Sequence, residues 1–176
     1  EPGLITRETF ALEQVEVTKG PSSTFAGRGS TGGAVNSVTK KASTDDDLSE
    51  VSSTLGRGGA QRYTFDQNSV INDDLAVRVN GLFTEGDIPD RSPANEKRFG
   101  GLISTIYQVS DDLVLSADYY SFRSDDLTDP GTYLVDGKPD KNVKYVGQNG
   151  LDFQESEADV ATFKIDVDLG DGMRLE

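Results

Sequence analysis

The densest run of residues able to do chemistry is Gly27-Arg-Gly-Ser-Thr-Gly32, which fits G-x-G-x-x-G. Such a turn cradles a pyrophosphate only when a strand leads in and a helix leads out, so that the helix N-terminus faces the phosphates. Here the alternating run ahead of it ends at Lys19, and the run after it, Ala34-Val-Asn-Ser-Val-Thr39, is β-branched and alternating. That pattern makes a strand. No Lys-Ser or Lys-Thr follows the glycines, which excludes a P-loop as well. The glycines therefore read as a tight turn needing positive φ and close backbone approach. A second candidate, Asp166-Val-Asp-Leu-Gly-Asp-Gly172, has the acid density of a calcium loop. It puts Gly170 where a third ligand belongs and Asp171 where the glycine belongs, so it reads as a turn.

Other chemistry lacks its parts. The 176 residues include no cysteine and no histidine, which removes thiolate metal sites, disulfides and the usual general base. Carboxylates are abundant but fall mostly in turns, with no nucleophile–base pair beside them, so no enzyme, cofactor or metal site is read here. A net charge of -14 opposes phosphate backbones and excludes nucleic acid. No segment reaches the ~18 consecutive apolar residues of a membrane helix, but strands cross a membrane with only ~10 alternating residues. The start at Glu1-Pro-Gly, without Met or an apolar leader, and the end at Met173-Arg-Leu-Glu176 read as cuts in a longer chain.

The elements that must position these residues are strands. Glu13–Lys19 alternates and is stopped by Gly20-Pro21; a second alternating run covers Ala34–Thr39. Residues 42–47 are polar and aperiodic, a linker. From Leu48 onward, alternating runs of about ten residues are separated by turns. Gly56–Gly59 is a short connection, and the turns at Asn72-Asp73-Asp74, Ser110-Asp111-Asp112 and Gly170-Asp171-Gly172 are tight. Gly86–Lys97 and Ser124–Glu157 read as longer loops. Tight turns on one side and long loops on the other describe an up-and-down barrel of outer-membrane type.

Each strand has one apolar face. Leu75, Val77, Val79, Gly81 and Phe83 oppose Ala76, Arg78, Asn80, Leu82 and Thr84; Leu113, Leu115, Ala117 and Tyr119 oppose Val114, Ser116, Asp118, Tyr120 and Phe122. Ala161, Phe163, Ile165, Val167 and Leu169 oppose Thr162, Lys164, Asp166 and Asp168. A soluble sandwich alternates in the same way, so periodicity leaves both architectures open. Aromatic placement favours the membrane: Tyr63, Phe65, Phe83, Phe99, Tyr119, Tyr120 and Phe122 gather at the long-loop ends, as an interfacial girdle would, with Tyr107 apart.

Residues 12–41 carry a denser signal. Leu12-Glu-Gln-Val-Glu-Val17, Lys19-Gly-Pro21, Gly27-Arg-Gly-Ser-Thr-Gly-Gly33 and Val35-Asn-Ser-Val-Thr-Lys40 follow one another in order. This succession resembles the plug C-terminus of TonB-dependent siderophore receptors, and its Ala26-Gly-Arg-Gly-Ser-Thr-Gly-Gly33 form is most similar to the catecholate branch. The resemblance implies an all-β fold, a plugged 22-stranded transmembrane antiparallel barrel. Such a barrel takes on the order of 500 residues, so about six of its strands would lie here. The implied organisation is residues 1–41 as the end of the plug, 42–47 as linker and 48–176 as the first strands of the wall, forming an open sheet with exposed edges.

The implied activity is import of a ferric siderophore, with TonB pulling on the plug, in contact with outer-membrane lipid, and without covalent chemistry. The implied lock between plug and wall falls on the motif residues Glu16, Lys19, Gly20, Pro21, Gly27, Arg28, Gly29, Gly32 and Gly33. A ferric catecholate is a bulky anion with aromatic rings, suited by cations and aromatics. Loop candidates for it are Arg91, Arg98, Arg123, Tyr133, Lys138, Lys141, Lys144 and Tyr145. Against an anion, residues 124–157 hold eight acids and three lysines, net -5. That balance keeps cobalamin or saccharide transport open, beside an unplugged porin or adhesin and a soluble secreted β-domain.

Overall fold

A computed structural model describes residues 8–20, 32–140, 143, 145–148, 150–170 and 173–175. Two strands come first, β1 (Leu12–Lys19) and β2 (Gly33–Thr39), paired antiparallel as a hairpin of their own. The alternation of valines with polar residues that predicts them is the period of an extended chain.

Next come β3 (Leu48–Leu55), β4 (Gln61–Asn72), β5 (Leu75–Asp87), β6 (Asn95–Ser110) and β7 (Leu113–Asp126). A small hairpin comes after them, β8 (Leu134–Val135) with β9 (Lys138–Pro139), then β10 (Gln154–Gly170) and β11 (Met173–Leu175). Seven of these strands form one open antiparallel sheet in the order β11-β10-β7-β6-β5-β4-β3, so every neighbour in the sheet is a neighbour along the wall of an up-and-down meander. The edges are β3 and β11.

The three tight turns share one construction. Asn72 faces Leu75, Ser110 faces Leu113 and Gly170 faces Met173, each across two residues, and each turn has a register shift just before it. Asn72 Oδ1 accepts the Asp74 amide at 3.0 Å, and the Asp74 carbonyl accepts the Gln108 amide of the next strand at 2.8 Å. This is the local side-chain capping that makes Asn and Asp turn residues.

At the other end the strands run further than their apolar patterns. The loop expected over 86–97 narrows to 88–94, and that over 124–157 narrows to 127–153, because β5, β6, β7 and β10 continue through charged residues. Ladder hydrogen bonds need no apolar face once both faces of the sheet are wet.

The faces are inverted relative to a soluble protein. Asp66, Asn68, Asn80, Thr84, Ser104, Ser124, Asp126 and Asp166 are buried, while Val51 is 78% and Phe163 81% exposed. A sandwich would bury those large apolar side chains; a membrane wall turns them to lipid and keeps its polar groups inside. The odd-numbered residues of β4, β5, β6, β7 and β10 form the outer face, where Tyr63 stacks on Phe83 with centroids 6.3 Å apart and Phe83 meets Phe99 at a tilt, 5.1 Å apart. Two members of the expected girdle do not belong to it. Tyr120 and Phe122 point inward, where Phe122 joins Phe10, Ala11, Leu82 and Leu102 in an apolar cluster with Tyr120 packed against it.

Candidate functional site

The inner face of the sheet holds the segment that carries the hairpin. Lys40 donates its amide to the Ala11 carbonyl at 2.9 Å, so residues 8–13 and 39–43 meet at the base of β1–β2. From that base, side chains reach the wall at two levels.

The first level, toward the tight turns, centres on Asp66 of β4, which is 6% exposed. Arg78 of β5 grips it in bidentate fashion, Nε to Oδ1 at 2.9 Å and Nη2 to Oδ2 at 2.8 Å, and Lys40 adds its ammonium at 2.8 Å. Arg78 also pairs with Glu13 at 2.9 Å and donates to the Lys41 carbonyl at 3.0 Å. Lys41 pairs with Asp118 of β7, whose other oxygen accepts the Ser104 hydroxyl at 2.6 Å; Ser104 Oγ in turn accepts the Ala42 amide at 3.0 Å. Residues 43–46 are fixed as well. Asn68 accepts the Ser43 amide at 3.1 Å and donates to the carbonyls of Ser43 and Asp46 at 2.8 and 2.7 Å. Buried charges persist when each is paired and hydrogen-bonded, and here each cation meets a carboxylate.

The second level, toward the long loops, centres on Glu8. Its carboxylate joins Arg62 of β4 at 2.9 Å and Arg98 of β6 at 3.1 Å. Arg98 continues to Glu96 at 2.9 Å and Asp126 at 3.1 Å. Between the levels Phe10 lies over Gly100 and stacks on Tyr120 at 5.9 Å. Beside this base a cleft of about 430 Å³ separates it from β10, lined by Leu12, Thr39, Lys41, Asp118, Tyr120 and Val160 among others.

The motif residues occupy the hairpin away from its base. Glu16 accepts from Gln14 at 2.7 Å and Asn36 at 3.0 Å, inside the hairpin, and Lys19 is exposed with no ion pair among the described residues. Gly20 and Gly33 both have positive φ, 92° and 141°, and a Cβ on Gly33 would collide with the Thr18 carbonyl oxygen. The Gly32 carbonyl accepts the Gly20 amide at 3.2 Å. Pro21, Gly27, Arg28 and Gly29 lie outside the described residues, as do Lys141 and Lys144. Among the described residues, the ion pairs that cross to the wall come from Glu8, Glu13, Lys40 and Lys41. The signal for them was a strand charge opposite an apolar face: Arg78 and Asp118 sit mid-strand and inward, and each such charge requires a partner.

The loop candidates fall into three environments. Arg98 is inward and paired. Arg123 is on the outer wall, held by Glu157 at 2.5 Å, Asp159 at 3.4 Å and the Ser121 hydroxyl at 2.9 Å. Arg91 is in the loop 88–94 and grips Asp129 with Nε to Oδ2 at 2.6 Å and Nη2 to Oδ1 at 2.5 Å, raising its own pKa and lowering that of Asp129. Tyr133 and Lys138 are exposed on and beside the β8–β9 hairpin, and Tyr145 is half-buried in the same loop.

No protein-family model matches the chain. Among curated relatives, "Probable TonB-dependent siderophore receptor PiuA" of Acinetobacter baumannii is 35% identical over 96% of this chain and 24% of its own length. "Probable TonB-dependent receptor BfrD" of Bordetella pertussis is 32% identical over 100% of this chain and 25% of its own length. The catecholate siderophore receptor Fiu of Escherichia coli is 28% identical over 98% of this chain and 25% of its own length. Among solved structures, the siderophore receptor PiuA from Acinetobacter baumannii superposes with a TM-score of 0.83 over 95% of this chain and 25% of that one. The closed form of the ferric-catecholate import receptor Fiu superposes with 0.84 over 96% and 26%, at 28% identity. The chain thus spans about a quarter of the length of the relatives it matches. With its inverted sheet, its inward-held hairpin and these matches to both sequence and structure, the chain belongs to the TonB-dependent siderophore receptors of the bacterial outer membrane.

Proposed function

We propose that the protein to which these residues belong imports a ferric siderophore of catecholate type across the outer membrane, using energy transduced by TonB, and performs no covalent chemistry on its ligand. Residues 1–41 are then the end of the plug, 42–47 the linker and 48–176 the first strands of the wall. The observation that carries this reading is the two-level clasp: a segment threaded against the inner face of a membrane wall and held there by paired charges. Such a segment closes a lumen at rest and is released by breaking ion pairs, a change of packing and electrostatics. The relatives named for siderophores and catecholates support the ligand class.

Tyr133 and Lys138 are the proposed contacts in the described part of the long loop, with Lys141, Lys144 and Tyr145 beside them in sequence. Arg98 and Arg123 already have carboxylate partners and serve the wall. The test is equilibrium binding to the detergent-purified full-length receptor of a ferric catecholate, a ferric hydroxamate and cobalamin. Tight and selective catecholate binding is expected. Preference for another of these ligands retires the catecholate assignment and leaves import, and binding of none of them removes the importer reading.

A further inference from the structure

Arg91 has the charge of a ligand-binding residue, but its guanidinium is spent inside the protein. It makes two parallel hydrogen bonds to Asp129, the geometry that matches a guanidinium fork to a carboxylate. It also donates to the carbonyl of Gly131. Asp129 Oδ1 accepts the Gly131 amide at 2.9 Å, so the same carboxylate that receives Arg91 shapes the turn at Gly131, whose φ is 99°. One residue beyond, the Thr132 hydroxyl donates to the Asp140 carbonyl at 3.3 Å, and the Asp140 amide donates to the Tyr133 carbonyl at 2.9 Å. These bonds open the β8–β9 hairpin that presents Tyr133 and Lys138.

The donor end is equally fixed. Ile88 donates to the Ala94 carbonyl at 2.9 Å, Arg91 to Ile88 at 3.1 Å and Ala94 to Arg91 at 2.9 Å, so the loop 88–94 is closed on itself and Arg91 projects from a rigid turn. The two loops are also joined lower down, where Asn95 and Leu127 exchange both backbone hydrogen bonds at 3.1 and 3.0 Å.

We propose that Arg91 is a positioning residue: it latches the loop 88–94 to Asp129 and Gly131, and thereby sets the direction in which the Tyr133–Lys138 hairpin faces an aromatic, anionic ligand. The ligand half of this proposal rests on the importer reading above; the latch does not. Direct contact and latching predict opposite signs for one substitution. If Arg91 touched the ligand, Asp129→Asn would free its charge and remove an acid from a loop of net negative charge, leaving binding unchanged or tighter. If Arg91 is a latch, Asp129→Asn weakens binding as Arg91→Ala does.

The experiment uses the full-length receptor in detergent and two readouts. Hydrogen exchange of the Gly131 and Asp140 amides is expected to accelerate in both Arg91→Ala and Asp129→Asn; exchange unchanged from the parent in both overturns the latch. Binding of a ferric tris-catecholate is expected to weaken about ten-fold in each, the scale of one lost charge-assisted interaction, with the double variant no worse than either single one. Tighter or unchanged binding in Asp129→Asn, with loss in Arg91→Ala, overturns positioning in favour of direct contact. If the parent binds no ferric catecholate the catecholate assignment falls, and the exchange result still decides the latch.

Discussion

The ring of Phe10 rests on the backbone of Gly100, so closely that a Cβ on Gly100 would stand 2.5 Å from two of its ring carbons. The contact joins the segment ahead of β1 to the middle of β6, between the two ionic levels. It sets the ring in the apolar cluster with Leu82, Leu102 and Phe122, on an inner face that elsewhere buries polar groups.

Gly100→Ala therefore drives Phe10 off its seat, at the cost of overpacking, about 1–3 kcal/mol. Phe10→Ala removes the ring instead and loses about 3–5 kcal/mol of packing. Both are expected to raise passive entry of a large antibiotic in cells making the full-length receptor. Phe10→Leu in the Gly100→Ala background relieves the clash and is expected to restore much of the seal. Unchanged antibiotic sensitivity in both single variants would show that the contact does not hold the segment closed.

The Asp66 centre is tested by leaving its cations behind. Asp66→Ala strands Arg78 and Lys40 without their carboxylate in a site where Asp66 is 6% exposed. Removing one partner of a buried ionic group costs about 3–5 kcal/mol, whereas an exposed pair such as Arg123–Glu157 is worth about 0–1 kcal/mol. Thermal melts of the purified receptor are expected to separate the two: a lowered transition for Asp66→Ala and little change for Glu157→Ala. Equal shifts would remove the distinction between an inward clasp and a surface pair.

How much of this was legible in the sequence depends on range. Period two fixed the faces of β5, β7 and β10, and the two-residue turns Asp73-Asp74 and Asp111-Asp112 carried the same parity from strand to strand, because local bonding decides both. The loop lengths were less legible, since Glu85, Glu96, Lys97 and Asp125 look like loop residues yet sit in strands that outlast the apolar band. Tyr120 and Phe122 illustrate a third level: whether an aromatic is girdle or core depends on Phe10, more than a hundred residues earlier. The clasp has the same character, as Lys41 meets Asp118 and Glu8 meets Arg98 across long separations that no local pattern encodes.

The inverted faces give a sharper contrast. Phe163 is 81% exposed on the outer side of β10, and its neighbour Thr162 lines the inner cleft. A lysine on the lipid face near the bilayer midplane costs about 2–4 kcal/mol, and one in the lumen far less. Folding of Phe163→Lys into lipid bilayers is expected to fail or shift to lower denaturant, while Thr162→Lys folds near the parent. Equal behaviour would mean that this face does not meet lipid.

Acid should open the loop latch. Arg91 holds the Asp129 carboxyl below its ordinary value of 3.8, with the Gly131 amide helping. A group whose folded pKa is depressed stabilises the fold fully above its unfolded pKa, about 3.9, and that contribution is lost as pH falls through the folded value. The hairpin should therefore hold still from neutral pH down to about pH 5 and loosen only below about pH 4. A spin label at Val135→Cys reads this directly, at a site that is 56% exposed and one residue from the hairpin turn. In the Asp129→Asn background the label should be mobile at every pH, because the amide carries no charge to lose. A parent whose label mobility rises already between pH 7 and pH 5 would place the titrating group elsewhere than Asp129.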